Sequence, residues 1–307
     1  MKKVITIVGP TAVGKTALSI RLAKKLNGEV ISGDSMQVYR HLDIGTAKVT
    51  PEEQAGISHH LINIRDVDQR FSAADFQSLA GEQVNEIVQR NHLPLVVGGT
   101  GFYISALVNN LALGGDHFSE QSAKLRQHWE EVVQQAGKQA VWQQLAQKDP
   151  VAAQQIPVNN VRRVIRALEV IQTTGQLFSQ QPARQPIADF LLIGLNTDRQ
   201  VLYQRINQRV DQMVAAGLVD EARWLYDAGG EDFQSGKGIG YRELFPYFRG
   251  EYDLSAAINQ VKLDSRHYAK RQLTWFRNKL TVHWFDLVSG KDIFEDIEDF
   301  AREWLTK

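Results

Sequence analysis

The 307-residue sequence contains no cysteine, which excludes a disulfide, a thiolate metal site and a cysteine nucleophile. It also lacks any apolar run approaching the ~18 residues of a membrane span. The opening MKKVITIVGP sets two lysines before an apolar stretch. Val4–Val8 is too short for a signal-peptide core, however, and no small-residue cleavage site follows. It reads as a buried strand. These absences fit a soluble, cytoplasmic protein, as do 43% hydrophobic and 23% charged residues. Net charge is missing too: 35 Lys and Arg balance 35 Asp and Glu, which argues against a nonspecific polyanion binder. The balance is uneven along the chain. From Asn259 to Thr281 six bases (Lys262, Arg266, Lys270, Arg271, Arg277, Lys279) face one acid, Asp264. From Asp286 to Lys307 seven acids outnumber three bases. A basic segment hidden in the total by an acidic tail is compatible with a localised polyanion site.

What is present is an alternation of strand and helix patterns. Val4–Val8, GEVIS (28–32), HLPLVVGGT (92–100) and ADFLLIGLN (188–196) are continuous apolar runs, the pattern of parallel strands covered on both faces. Helical spacing follows the first run from about Lys15 to Leu26, and returns over Arg199–Ala216, Leu218–Tyr226 and Asn259–Leu280. Between Leu113 and Pro186 strand signals vanish and ten glutamines fall between Gln121 and Gln155. There Val161, Val164, Ile165, Leu168 and Ile171 recur at helical spacing. With the glycine run GPTAVGKT (9–16) joining the first strand to the first helix, the expected fold is α/β: a P-loop NTPase-like parallel sheet with helices on both faces, plus a helical insertion domain. The core domain is placed at residues 1–113 and 187–307, the insertion at 114–186.

Gly9-Pro10-Thr11-Ala12-Val13-Gly14-Lys15-Thr16 matches G-x-x-x-x-G-K-[ST] with a strand before it and a helix after it. Average composition yields such a match in roughly one chain of this length in a hundred. Backbone N–H groups at the helix start would face phosphate oxygens. Lys15 would neutralise charge, and the Thr16 hydroxyl is a candidate Mg²⁺ ligand. Ligands of open parallel sheets sit beyond the carboxyl ends of the strands. GDSMQVY (33–39) and GGTGFY (98–103) lie there, so Asp34 and Thr100 are expected near the phosphates, with a helix cap as the alternative role for Asp34. The usual NTPase partners are missing. LVVGGT ends a strand in glycines and a threonine where a hydrolase would place an acid, and no Asn-Lys-x-Asp run occurs.

A second set of polar features suits a larger ligand. Arg162, Arg163 and Arg166 share a helix face opposite the apolar stripe of the insertion, and Arg205 and Arg209 form an i, i+4 pair. SGKGIGYR (235–242) puts Lys237, Tyr241 and Arg242 on a glycine loop. SRHYAKRQLTWFRNK (265–279) interleaves bases with Tyr268, Trp275 and Phe276, a mixture that grips phosphates and stacks bases. Each cluster alone also fits a solvated helix face, and the aromatics also fit a core. Jointly they point to nucleic acid. His59-His60 lacks metal-ligand spacing and reads as structural; Asp198 and Asp211 read as helix-start and surface acids.

Taken in order, GPTAVGKT, ISGDSMQVYRHLDIGTAK, FSAADF, PLVVGGTGFYI, NNVRRVIRALEV, QRINQRVDQM, GIGYRE and YAKRQLTWFR run from residue 9 to 277. The series resembles the tRNA dimethylallyltransferases (tRNA isopentenyltransferases) of bacterial type. The resemblance implies transfer of a dimethylallyl group from dimethylallyl diphosphate to N6 of the adenosine 3′-adjacent to the anticodon in tRNA. Diphosphate would be released, and Mg²⁺ used. It implies that Gly9, Pro10, Thr11, Ala12, Val13, Gly14, Lys15 and Thr16 cradle the diphosphate. Lys15, Arg209 and a Thr16-bound Mg²⁺ would offset charge on the leaving group, with Asp34 as general base. Contacts to tRNA are implied at Asp34, Ser35, Met36, Gln37, Thr100 and Arg126. They are also implied at Arg162, Arg163, Val164, Ile165 and Arg166, and at Lys237, Gly238, Ile239, Gly240, Tyr241 and Arg242. The adenosine would be flipped into a reaction channel, with the insertion on the anticodon stem-loop of a tRNA bound by a monomer. The chain departs from the family pattern at Lys237-Gly238-Ile239, where some members carry Arg-Cys, and matches it loosely over Gly114–Ser122. An adenylate isopentenyltransferase, a small-molecule P-loop kinase and a noncatalytic nucleotide-switched RNA binder are the competing readings.

Overall fold

The structure, a computed structural model of the chain, describes residues 1–113, 120–181, 184–289 and 293–307. The element series begins with β1 (Lys3–Val8), α1 (Lys15–Leu26), β2 (Gly28–Ser32), α2 (Pro51–Gln54) and β3 (His59–His60). It continues with α3 (Ala73–Gln89), β4 (Leu93–Gly98), α4 (Gly101–Val108), α5 (Glu120–Lys148), α6 (Pro150–Gln155) and α7 (Val161–Thr174). After β5 (Asp189–Leu195) come α8 (Arg199–Ala215), α9 (Leu218–Asp227), α10 (Phe245–Phe248) and α11 (Leu254–Lys279). β6 (His283–Phe285) and α12 (Phe294–Thr306) complete it. The chain forms two compact units, Met1–Asn110 with Pro186–Lys307, and Leu111–Gln185. Of the loosely matching stretch Gly114–Ser122, residues 114–119 lie outside the described residues.

In the first unit six parallel strands form one sheet in the order β3-β2-β4-β1-β5-β6. Ile5 of β1 pairs with Leu95 on one side and Leu191 on the other, and Val4 to Val8 are all buried. Burial of both faces is why β1 is written as an unbroken apolar run rather than an alternation. β3 and β6 are two- and three-residue edge strands. Neither is long enough to carry a period of two, which is why the sequence does not announce them.

α1 buries Leu18, Leu22 and Ala23, spaced one turn apart, in the cluster that holds Ile5, Ile7, Val30 and Leu95. It starts after Gly14 at φ 102° and ends at Asn27 at φ 52°, residue types that tolerate left-handed backbone. α8 is capped by Asp198, whose Oδ1 accepts the Gln200 and Val201 N–H groups at 2.7 and 3.2 Å. α11 is capped by Asp253 and buries Val261, Ala269, Gln272 and Phe276. Phe276 is therefore core. Trp275 is half-buried, its indole N–H donating to Ser105 Oγ at 2.9 Å.

The histidine pair has a structural place on the sheet. Glu29 of β2 is buried and takes Arg90 Nε and Nη2 at 3.1 and 2.8 Å, His60 Nε2 at 2.6 Å and His92 Nδ1 at 2.5 Å. Arg90 first, then the two imidazoles, hold its carboxyl at about 2 against the effect of burial. His60 thus tethers the β3 edge to β2.

The second unit is helical in its described residues. Trp129, Val141, Leu145, Ile156, Val164, Ile165 and Leu168 form its core. Gly137, at φ 82°, breaks α5 in two. Asp149 is fully buried and satisfied: it caps α6 at the Ala152 N–H (3.0 Å) and accepts from Ser179 N–H and Oγ (2.8 and 2.7 Å). Among the described residues no helix is long and apolar enough to cross a membrane.

Candidate active site

The glycine loop leaves β1 at Gly9, where φ is 150° and a Cβ would lie 2.6 Å from the Leu195 carbonyl oxygen. Only glycine lets the loop pass the end of β5 so closely. The loop and the first turn of α1 line a cleft of about 1240 Å³ in the first unit. The same cleft is lined by Asp34–Gln37, Asp43–Thr50, Arg205, Arg209, Lys237–Gly240, Tyr268 and Gln272.

Lys15 folds back on the loop, its Nζ donating to the Gly9 and Pro10 carbonyls at 3.0 and 2.7 Å. Burial, with Arg209 adding to it, brings its pKa down to about 7 while Asp34 pulls the other way. Burial also lowers Arg209, again against Asp34. Arg209 Nη1 donates to Thr11 Oγ1 at 3.2 Å, and Arg205 Nε donates to the Ala12 carbonyl at 2.9 Å. The i, i+4 spacing on α8 thus brings both guanidiniums to the loop. A lysine and an arginine destabilised as cations in one desolvated site make a place for an anion.

Asp34 caps no helix. Its Oδ1 accepts the Met36 N–H at 2.8 Å, an Asx turn, and no hydrogen bond to Oδ2 is made among the described residues. Thr100 accepts the Ser35 N–H at 3.0 Å and donates to Ser35 Oγ at 3.3 Å. The loops after the paired strands β2 and β4 therefore meet at the carboxyl end of the sheet. Gln37 is occupied: Oε1 accepts from Ser32 Oγ at 2.8 Å, and Nε2 donates to the Thr46 and Ala47 carbonyls at 3.3 Å. Met36 packs on the 235–242 loop, where a Cβ at Gly238 would lie 2.6 Å from its Cε. On that loop Lys237 is exposed, Ile239 is half-buried and Gly240 takes φ 100°.

Several residues expected at an RNA surface point inward. Tyr241 is 1% exposed and donates its hydroxyl to Glu221 at 2.7 Å. Val164 and Ile165 are buried in the core of the second unit. These three side chains cannot meet a polyanion without unpacking. Arg166 is tied to buried Glu169 at 2.9 Å and to the Leu113 carbonyl at 3.0 Å, and Arg126 approaches the same carboxylate at 3.9 Å. Arg162 and Arg163 are exposed on α7. Arg242 is partly exposed and pairs with Glu243 at 2.5 Å and Asp264 at 3.1 Å.

Two residues that organise the cleft escape the sequence reading. Glu221 accepts the N–H groups of Asp43, Ile44 and Gly45 at 2.7, 2.8 and 2.9 Å, besides the Tyr241 hydroxyl. In sequence it looks like any acid in the first turn of a helix. Gln272 left a signal: it is a polar residue on the stripe otherwise formed by Val261, Ala269 and Phe276.

For a metal the protein offers little of its own. Among the described residues no group of three His, Asp or Glu side chains is placed to hold one. Thr16 is exposed on the first turn of α1, at the cleft. One hydroxyl beside a phosphate cradle fits Mg²⁺, which keeps waters and binds through phosphate oxygens more readily than in a protein cage.

β4 runs out into Gly98 and Gly99, so the strand beside β1 carries no acid where hydrolases of this fold hold one. The cleft instead pairs its anion cradle with a carboxylate from the loop after β2. In class the molecule is a P-loop group transferase. The chain belongs to the IPP transferase family, whose model matches residues 37–279. It is 64% identical to the tRNA dimethylallyltransferase of Limosilactobacillus fermentum, over 100% of both chains. The solved tRNA isopentenylpyrophosphate transferase of Bacillus halodurans is 50% identical, with a TM-score of 0.75 over 100% of this chain and 97% of that one. A eukaryotic dimethylallyltransferase acting on tRNA is 30% identical, with a TM-score of 0.84 over 100% of this chain and 80% of the other.

Proposed function

We propose that the chain transfers a dimethylallyl group from dimethylallyl diphosphate to N6 of the adenosine 3′-adjacent to the anticodon in tRNA. The observation that carries this reading is the free oxygen of Asp34 in the same cleft as Lys15 and Arg209. A proton acceptor stands beside a cradle for a departing anion. The relatives act on tRNA by name, which supports the acceptor; the charge of the cleft supports the donor.

In the reaction N6 attacks C1 of the dimethylallyl chain. The N–C bond forms as the C–O bond breaks, the bonding pair leaves with diphosphate, and the N6 proton passes to Asp34 Oδ2. Lys15, Arg209 and the N–H groups at the start of α1 offset the charge that accumulates on the leaving oxygen. A Mg²⁺ held at Thr16 would supply Lewis-acid stabilisation to the same diphosphate. Exposed Lys237, Arg162 and Arg163 provide charge for the RNA backbone. The base itself reaches such a cleft only when extruded from its stack.

Incubation with labelled dimethylallyl diphosphate and either unmodified tRNA or AMP tests the reading. Label in an adenosine of the tRNA is expected. Label in AMP alone would indicate an adenylate transferase, and intact donor with both acceptors would overturn the proposal.

A further inference from the structure

We propose that Gln272 is a positioning residue that locks the diphosphate cradle and the acceptor-side loop into one register, so that C1 and N6 meet in line. The inference rests on the transferase reading above. Gln272 lies on α11, is 4% exposed, and uses its amide at both ends. Oε1 accepts the Thr11 N–H of the glycine loop at 3.1 Å, and Nε2 donates to the Gly99 carbonyl beyond β4 at 2.9 Å. The second contact leaves no room to spare: a Cβ at position 99 would lie 2.1 Å from Nε2.

Each end of that amide leads, through its partner, to one half of the chemistry. Thr11 is the residue whose hydroxyl Arg209 holds. Gly99 precedes Thr100, which fixes the Ser35 N–H at 3.0 Å and with it the turn that carries Asp34. Tyr268, one turn earlier on α11, lines the same cleft. One buried side chain therefore ties the glycine loop to the loop after β4, whose Thr100 in turn holds the loop that carries the base. An amide is a neutral group that can accept at one end and donate at the other. An apolar replacement would strand a buried N–H and a buried carbonyl and release the two loops from each other. Substrate contacts would survive, whereas a displacement of about 1 Å between reacting atoms costs on the order of 10²-fold in rate.

The test compares full-length Gln272→Leu, Gln272→Glu and wild type in the labelled transfer assay, with kcat and both KM values taken between about pH 5.5 and 8.5 and melting midpoints alongside. Gln272→Leu is expected to lower kcat ~10²-fold with both KM values within about threefold of wild type. Gln272→Glu keeps the shape of the amide. Ionised, it sets an acceptor against the Gly99 carbonyl; protonated, it donates as the amide does. Its kcat relative to wild type should therefore rise at least ~10-fold from pH 8.5 to pH 5.5. A Leu variant with wild-type kcat, a loss confined to the KM of the donor, or a Glu ratio flat with pH would each overturn the proposal. Should the Leu variant not fold, the Glu ratio decides alone. A wild type that transfers no label would overturn the transferase reading itself, a result distinct from an active wild type with indifferent variants.

Discussion

Raising the pH from about 6 to about 8.5 should weaken the binding of dimethylallyl diphosphate through one group, Lys15. Burial, reinforced by Arg209 and opposed by Asp34, holds its pKa at about 7. A diphosphate in the cradle adds closer negative charge and raises that pKa. The direction follows from linkage. Below about 7 the ammonium is already charged, and the donor binds it without taking a proton. Above that value the donor must draw a proton from solvent, until the pH passes the pKa of the complex. At pH 8.5 the gap is about 1.5 units, worth about 2 kcal/mol or about 30-fold in Kd where the complex titrates still higher. Calorimetry without tRNA, in two buffers of unlike ionisation enthalpy, reads the proton uptake directly. It should approach one proton at pH 8.5. The donor's own ionisation is removed by comparison with Lys15→Arg, which stays charged throughout. Equal proton uptake by wild type and Lys15→Arg at pH 8.5 would refute the reasoning.

Three further outcomes are expected. Asp34→Ala should lower turnover by at least ~10²-fold while tRNA affinity by filter binding is unchanged; wild-type turnover would leave Asp34 with its Asx turn alone. Arg162→Ala should weaken tRNA binding and reduce the slope of log K against log salt by about one, and an unchanged slope would rule out that phosphate contact. Arg166→Ala should act on stability instead, because it removes the 2.9 Å partner of fully buried Glu169. A loss on the order of 3 kcal/mol is expected in urea unfolding, and an unaltered midpoint would contradict the role given to that pair.

Local spacing was what the sequence displayed best. α1 runs over Lys15–Leu26 and β2 over Gly28–Ser32, as the apolar patterns require, because both elements are buried deeply enough to dictate their residues. The approach of Thr100 to the Asp34 loop was also readable, since parallel strands deliver their following loops to one end of the sheet. The direction of each side chain inside a motif was not. Gln37 and Tyr241 are polar residues in ligand-like loops, yet one satisfies backbone carbonyls and the other a carboxylate from α9. Val164 and Ile165 show the reverse case: the helical stripe already faced them inward, while the family resemblance, which speaks in segments, counted them as contacts. The partners of Gln272 and Glu221 lie at long sequence separations, where no spacing rule reaches, although the stripe of α11 marks Gln272 itself as buried.

The carboxylate of Glu221 has one more consequence. Three successive N–H groups at residues 43–45 form a nest of the kind that binds anions, and here the protein seats its own counter-charge in it. A chain with two such concavities facing one cleft would give a diphosphate two places to settle. With that nest filled from within, the N–H groups at the start of α1 are left to an anion arriving from solution. Under the transferase reading proposed above, the diphosphate end of the donor is drawn to the glycine loop rather than to residues 43–45.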